Sequence, residues 1–281
     1  MYCWMNGEYL LADGLRISPF DHGFLYGVGF FETFRTYEGH VFLFSKHMER
    51  LRSALDEYRI SMPYTEKVLL AVIQKLNEDA GGTDGYFRLN VSAGVHDIGL
   101  APTAYTEPNV IMFRKELAPM KRGAAKTGVW LTTPRNEPES TIRHKSHHFL
   151  NNVGGRLELP SLKELEGIFL TKEGYVAEGI TSNVFWVKDH NLYTPSLKTG
   201  ILPGTTRAFI MELAESIGMR VFEGFYSKEA VEEADEVFVT NAIQELVPLQ
   251  RIGDSVFVGS EGPIYDKLHK LYVQAIKERR F

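Results

Sequence analysis

A single cysteine, Cys3, occurs in the 281 residues. An intramolecular disulfide is therefore impossible, and neither a thiolate zinc cluster nor a thiol redox pair can be assembled, which points to a reducing compartment. Long apolar runs are also lacking: the longest, Val68 to Ile73, falls far short of the roughly 20 residues that span a bilayer. The opening MYCWMNGEYLLADG has no basic n-region and no apolar h-region. A cytoplasmic protein without membrane partners is expected. Nor is there a basic excess, since 31 Lys+Arg against 36 Asp+Glu leave a formal charge of −5. That balance excludes a generic nucleic-acid binder. No repeat of 20 to 50 residues and no low-complexity tract interrupts the chain. What is present is ordinary globular usage, 44% hydrophobic and 24% charged, at a length that commonly divides into two lobes.

Turn and period signals outline those lobes. Phe30 to Thr36 and Val41 to Phe44 flank Glu38-Gly39 and predict a hairpin. Ser45 is a candidate cap for a helix with Met48, Leu51, Leu55 and Tyr58 on one face, and Tyr64 to Asn77 gives a second helix. Tyr86 to Ser92 and Asn109 to Phe113 read as strands. The charged stretch Arg114 to Gly123 then loses periodicity, which places a boundary between residues 118 and 119. Beyond it, Val129 to Thr132 reads as a strand, a short helix follows Lys145, and hairpins are centred on Lys172-Glu173-Gly174 and on Lys188 to Asn191. Thr205 to Ile217, Lys228 to Ala234 and Ile264 to Lys277 read as helices, the last behind Pro263, with Glu236 to Thr240 as a buried strand. Antiparallel hairpins with segregated helices predict α+β lobes, 1–118 and 119–281, and argue against a doubly wound sheet.

Several motifs can be set aside. Gly27-Val28-Gly29 lacks the third glycine of a dinucleotide fingerprint and feeds a strand where a helix is needed. Its glycines suit a bend or a close backbone approach. His144, His147 and His148 have no carboxylate or cysteine at matching spacing, so no metal is expected. No G-x-S-x-G elbow occurs. Other clusters carry more. His47 and Arg50 share a helix face near a helix start, where a guanidinium suits a phosphate. Pro203-Gly204-Thr205-Thr206 opens a helix with backbone and hydroxyl donors, and Thr240-Asn241 ends a buried strand. Glu178 lies at an apolar strand's edge, and Lys145 lies between a loop and an Asn-rich helix start.

Together, FDHGFLYGVGFFET, HMERL, HKSHHFLNN, VAEGITSNVFWV, GILPGTTR and VFVTNAIQELVPL resemble, in order and spacing, the fold-type IV enzymes that depend on pyridoxal 5'-phosphate. This is the class IV aminotransferase family, which includes branched-chain and D-amino-acid aminotransferases and aminodeoxychorismate lyases. The resemblance implies a smaller N-terminal lobe, a larger C-terminal lobe, the cofactor between them, and a homodimer. It makes Lys145 the Schiff-base lysine and proton shuttle, Arg50 a phosphate ligand, Glu178 the partner of the pyridine nitrogen, and Leu202 a ring contact. Thr205, Thr206, Thr240 and Asn241 become donors around the phosphate.

Within that family, the D-amino-acid enzymes hold a substrate carboxylate with a tyrosine and an Arg-x-His pair. This chain instead has Phe31 and the stretch Ser92 to Asp97, with His96, and that trap is not visible. The SPFDHGFLYGVGFFETFR segment and the TNA after the buried strand look more like the lyases, whose small substrate is anionic and carries two carboxylates. Arg35, Arg88 and Arg143 are the cationic candidates for it, with Arg88 of Tyr86-Phe87-Arg88 the best placed. A branched-chain or D-amino-acid aminotransferase and a non-catalytic relative that binds the cofactor are the alternatives.

Overall fold

The computed structural model describes residues 2–100, 103–117 and 121–279. The chain divides into two units: Met1–Pro119 with His144–His148 and Arg279–Phe281, and Met120–Arg143 with Phe149–Glu278. The boundary expected between residues 118 and 119 lies outside the described residues. One departure from contiguous lobes is clear, because the five residues around Lys145 belong to the first unit although the chain on either side belongs to the second.

In the first unit, strands β1 (Tyr2–Met5) and β2 (Glu8–Leu11) precede a short helix α1 (His22–Leu25), and β3 (Gly29–Tyr37) pairs with the two-residue β4 (His40–Val41). Helices α2 (Phe44–Glu57) and α3 (Glu66–Glu78) follow, then β5 (Gly85–Ser92) and β6 (Asn109–Glu116). The sheet order is β2-β1-β6-β5-β3-β4, with every pair antiparallel. Alternation along β3 and β5 explains its two faces. Phe30, Phe34, Phe87, Leu89 and Val91 enter one core with Met48, Leu51 and Leu55 of α2 and Leu69, Val72 and Ile73 of α3. Phe31, Thr33 and Arg35 alternate with that set and stand opposite Asn90, Arg88 and Tyr86 in register, so these six share the other face. The predicted strand Val41 to Phe44 is cut short. Leu43 adopts the left-handed conformation (φ 57°) and α2 starts at Phe44, so Ser45 lies inside the helix and does not cap it.

The second unit has a nine-stranded sheet: β7 (Lys126–Trp130), β8 (Leu165–Leu170), β9 (Val176–Gly179), β10 (Asn183–Lys188), β11 (Asn191–Pro195), β12 (Val221–Gly224), β13 (Glu236–Asn241), β14 (Glu245–Ile252) and β15 (Ser255–Val256). Helices α4 (Leu150–Leu157), α5 (Thr205–Ser216), α6 (Lys228–Glu232) and α7 (Pro263–Lys277) accompany it. The order is β12-β11-β10-β13-β14-β7-β8-β9, with β15 on β14. The two expected hairpins are β8–β9 and β10–β11. The pairs β7–β8, β7–β14 and β11–β12 are parallel, a feature that hairpin signals do not reveal. Val184, Trp186, Val237, Val239 and Leu249 fill one core, and Leu131, Phe169, Ala177 and Ile201 a second. Among the described residues, no helix is long and apolar enough to cross a membrane.

Candidate functional site

Lys145 is placed by backbone. Its carbonyl accepts from the N–H of Phe31, the N–H of His147 donates to the carbonyl of Gly29, both at 2.9 Å, and Ser146 bridges to Phe30. The lysine segment is thus a short antiparallel addition to the start of β3. The glycines expected to permit a close approach do so here: a Cβ on Gly29 would overlap His147 Nδ1, and one on Gly27 (φ +70°) would stand 2.5 Å from the His148 ring. Alanine has no room at either position. The three histidines diverge, with His144 bonded to Glu57 at 2.8 Å, His148 to the carbonyl of Tyr26 at 3.1 Å, and His147 lying against Phe31.

Side chains collect around the buried ring of Phe31. Lys145 Nζ lies 4.7 Å from its centroid and the Arg88 guanidinium carbon 3.6 Å. Arg88 donates to Asn90 Oδ1 at 3.0 Å, and burial lowers its pKa. Two more cations of this sheet stand over aromatic rings, Arg35 over Tyr37 and Lys115 over Tyr86. Stacked cations of this kind give a face on which an anion is favoured. His96 packs its ring edge-on to Tyr105 at 4.6 Å, beside His22.

On the opposite face of β3, Glu32 is fully buried. It accepts from Arg50 Nε at 2.8 Å and Nη2 at 2.7 Å, and it bonds His47 Nδ1 at 2.7 Å. Burial alone would push the Glu32 carboxyl up, but Arg50 and His47 hold it down at about 2. Burial lowers the pKa of His47, with Arg50 and Lys145 adding to the effect against the hydrogen bond and charge of Glu32, which raise it. Arg50 is the seventh residue of α2, beyond the first turn, so the expected helix N-terminus does not lie beside it. What orients its guanidinium is the two-point contact with Glu32, a partner sequence reasoning missed. A carboxylate inside the otherwise uncharged run Gly29 to Phe34 was the available signal, since a charge there needs a partner.

In the second unit, Glu178 lies buried in β9. Arg135 Nε and Nη2 both reach its Oε1 at 2.8 Å, and the Leu202 N–H donates to Oε2 at 2.9 Å. Asn183 Nδ2 bonds the Leu202 carbonyl at 2.9 Å and reaches Glu178 Oε2 at 3.5 Å. Asn183 is also the register partner of Thr240, so Glu178, Leu202 and Thr240 are drawn to one end of β10 and β13. A Cβ on Gly204, the cap of α5, would overlap Asn183 Oδ1. Arg143 is turned onto the carbonyls of Gly200 and Asn136, 3.8 Å from Glu178; burial and the Arg135 charge lower its pKa to about 10. These contacts make it a brace for the Leu202 loop. Asn241 likewise spends its side chain on its own turn, accepting from the N–H groups of Ile243 and Gln244 and donating to Gln244 Oε1. Arg135 was not singled out by the sequence, because its partner lies 43 residues along the chain, nor was Asn183, whose tie to the Leu202 carbonyl spans 19 residues.

Two hydroxyls are left over. Thr206 Oγ1 and Thr240 Oγ1 are buried with no hydrogen-bond partner among the described residues, an arrangement that is costly unless an acceptor arrives. Thr205 and Thr206 open α5, whose N-terminal N–H groups suit an anion. The donor set of this end of the second unit therefore fits a phosphate, with a carboxylate at Glu178 available to a protonated ring nitrogen.

Residues 29–252 match the family model described as amino-transferase class IV. The aminodeoxychorismate lyase of Bacillus subtilis (strain 168) is 43% identical over 276 residues, spanning 98% of this chain and 94% of that protein. Among solved structures, the Escherichia coli branched-chain amino acid aminotransferase has a TM-score of 0.87 at 28% identity, covering 98% of this chain and 94% of that one. The T.th. branched-chain amino acid aminotransferase complexed with N-(5'-phosphopyridoxyl)-L-glutamate has a TM-score of 0.86 at 25% identity, over 99% and 95%. The match runs from the strand on which Lys145 is seated to the one that follows Thr240, and the chain belongs to the class IV aminotransferase family.

Proposed function

We propose that the protein is a pyridoxal-phosphate-dependent lyase that converts 4-amino-4-deoxychorismate to 4-aminobenzoate and pyruvate, a step toward folate. The observation that carries this reading is the 43% identity to an aminodeoxychorismate lyase along nearly the whole of both chains. The basic, aromatic face around Phe31 supports it, because a substrate with two carboxylates needs cations. When bound, pyridoxal phosphate supplies an electron sink for charge developing at the amine-bearing carbon. Lys145 would anchor it covalently, Arg50, Thr205, Thr206 and Thr240 would take its phosphate, Glu178 would accept from its ring nitrogen, and Leu202 would lie against its ring. In the reaction Lys145 removes the proton from the aminated ring carbon and returns it to the departing enolpyruvyl group, which leaves as pyruvate while the ring becomes aromatic.

The orphaned hydroxyls give a test with two readouts of opposite sign. Thr240→Val keeps the shape and removes a buried, unpaired hydroxyl, so the melting temperature without cofactor should hold or rise slightly. Affinity for pyridoxal phosphate should fall by roughly 10-fold to 150-fold, the worth of a hydrogen bond to a charged group. An unchanged affinity places Thr240 off the phosphate.

The reaction class is tested by following pyruvate and 4-aminobenzoate from enzymatically made aminodeoxychorismate beside a panel of D- and L-amino acids with 2-oxoglutarate. Phe31 has no hydroxyl to give a carboxylate, and His96 is packed against Tyr105 and His22. D-alanine should therefore be slower in kcat/KM by on the order of 10², the loss of a bidentate clamp. If D-alanine or a branched-chain amino acid wins, the aminotransferase reading replaces the lyase.

A cytoplasmic homodimer is the proposed working form. The dimer is supported by an apolar surface in the first unit, where Phe20, Phe24 of α1, Ile98 and Leu100 are exposed on two segments tied by the Asp21 to Val95 bridge and the bond from His96 N–H to the Phe20 carbonyl.

A further inference from the structure

His147 is a half-buried imidazole for which the reaction as described has no task. It stands two residues after Lys145 on the segment added to β3, its ring stacked on Phe31 with centroids 6.3 Å apart and planes at 28°. Its Nδ1 edge is pressed over Gly29, and its Nε2 is buried with no hydrogen-bond partner among the described residues. Burial first, and the charge of Arg88 second, lower its pKa to about 4, so the ring is neutral and one nitrogen carries a proton. Arg88 borders the same phenyl ring, and its Nε donates to the uncharged Asn90. A guanidinium bonded to a neutral amide and an imidazole nitrogen with no partner therefore flank one aromatic ring.

We infer that His147 is a substrate-binding residue, its Nε2–H donating to the carboxylate of the substrate that Arg88 meets as a charge. The inference deepens the lyase reading and takes only its probe from it. Distances agree with the assignment. The 3.6 and 4.7 Å separations from the Phe31 centroid put the Arg88 carbon and Lys145 Nζ no more than about 8.3 Å apart. A six-membered ring with an amine at one end and a carboxylate at the other spans roughly 6 Å from bond lengths. That bound leaves room for a substrate whose amine is at Lys145 to bring its far carboxylate to Arg88. A carboxylic acid is the class this wall selects, since the guanidinium and the imidazole N–H hold its acid end. A neutral imidazole is suited to this task, because it adds a directed donor beside a guanidinium without adding charge repulsion.

The test compares binding of 4-aminobenzoate with that of its uncharged amide, 4-aminobenzamide, to the cofactor-loaded protein. The wild type is expected to prefer the acid. His147→Leu should weaken the acid by about 10-fold and leave the amide unchanged, a loss of one hydrogen bond to a charged group. His147→Gln, which keeps an N–H donor, should recover most of that loss. His147→Phe keeps the stacked ring without the nitrogen and carries the leucine expectation if the leucine variant does not fold. An acid-to-amide ratio that is the same in wild type and the leucine or phenylalanine variant overturns the assignment, as does a wild type with no preference for the acid. Pyruvate release from aminodeoxychorismate is read separately. Its absence would remove the lyase reading, while the ratio still decides the role of His147.

Discussion

Lys145→Ala is expected to abolish turnover, by at least about 10⁴-fold, the upper range for losing one acid–base group, with the covalent anchor lost besides. The visible absorption that the cofactor acquires on attachment to a lysine should vanish with it. The protein should stay folded. What seats the segment is main chain: the Lys145 carbonyl on the Phe31 N–H, the His147 N–H on the Gly29 carbonyl, and the bridge of Ser146 to Phe30. Alanine preserves all three. A melting curve close to wild type together with lost activity is the expected pair of results, and full activity in the variant would end the covalent reading.

Glu32→Gln should produce the largest loss of stability. Glu32 is wholly buried, and its two-point contact with Arg50 and its bond to His47 are all within 2.8 Å. Glutamine keeps the shape but leaves the half-buried Arg50 without its counter-charge, which in buried pairs costs about 3–5 kcal/mol. For a protein of this size that lowers the melting temperature by on the order of 10 °C. The acid limb of the stability profile should change as well. The folded carboxyl sits at about 2, below its ordinary value near 4.5. Its contribution is therefore complete above the unfolded value and is lost as pH falls from there through about 2, roughly 3 kcal/mol in all. The variant should lack that share of the acid-side loss. A melt of Glu32→Gln that matches wild type at neutral pH would show that the triad is not what holds α2 on β3. Cofactor affinity should fall too, since Arg50 loses the partner that aims it.

Local signals in the sequence located most of the elements, and the reason is visible in which ones they found. Hairpins such as β8–β9 and β10–β11 are written in turn residues, and α2 and α3 in the spacing of Met48, Leu51 and Leu55 or Leu69, Val72 and Ile73. Pairings that join remote segments leave no such mark. The parallel contacts of β7 with β8 and β14 were not expected, nor was the seating of residues 144–148 in the first unit. At the site, the family's motifs drew attention to Lys145, Glu178 and Arg50, while the groups that orient two of them, Arg135 and Glu32, stand 43 and 18 residues from their partners. Ser45 misled because a hydroxyl before an apolar stripe is a common cap, whereas here a left-handed Leu43 starts the helix two residues earlier.

The seating of residues 144–148 on β3 also fixes an order of events during synthesis. Gly29 and Phe31 leave the ribosome more than a hundred residues before the strand that will pair with them, and a contact of that sequence separation forms late because the intervening chain must first be closed into a loop. The first unit therefore has to present the edge of β3 as a finished template and keep it open, with the Phe31 N–H and the Gly29 carbonyl facing water, until His144–His148 arrive. A chain stopped anywhere before His144 is then a different hazard from one stopped after His148: it carries an unpaired strand edge beside a large aromatic ring, the kind of surface that recruits a second chain. The lysine segment thus serves the nascent protein as the closing strand of its first unit before it serves any chemistry.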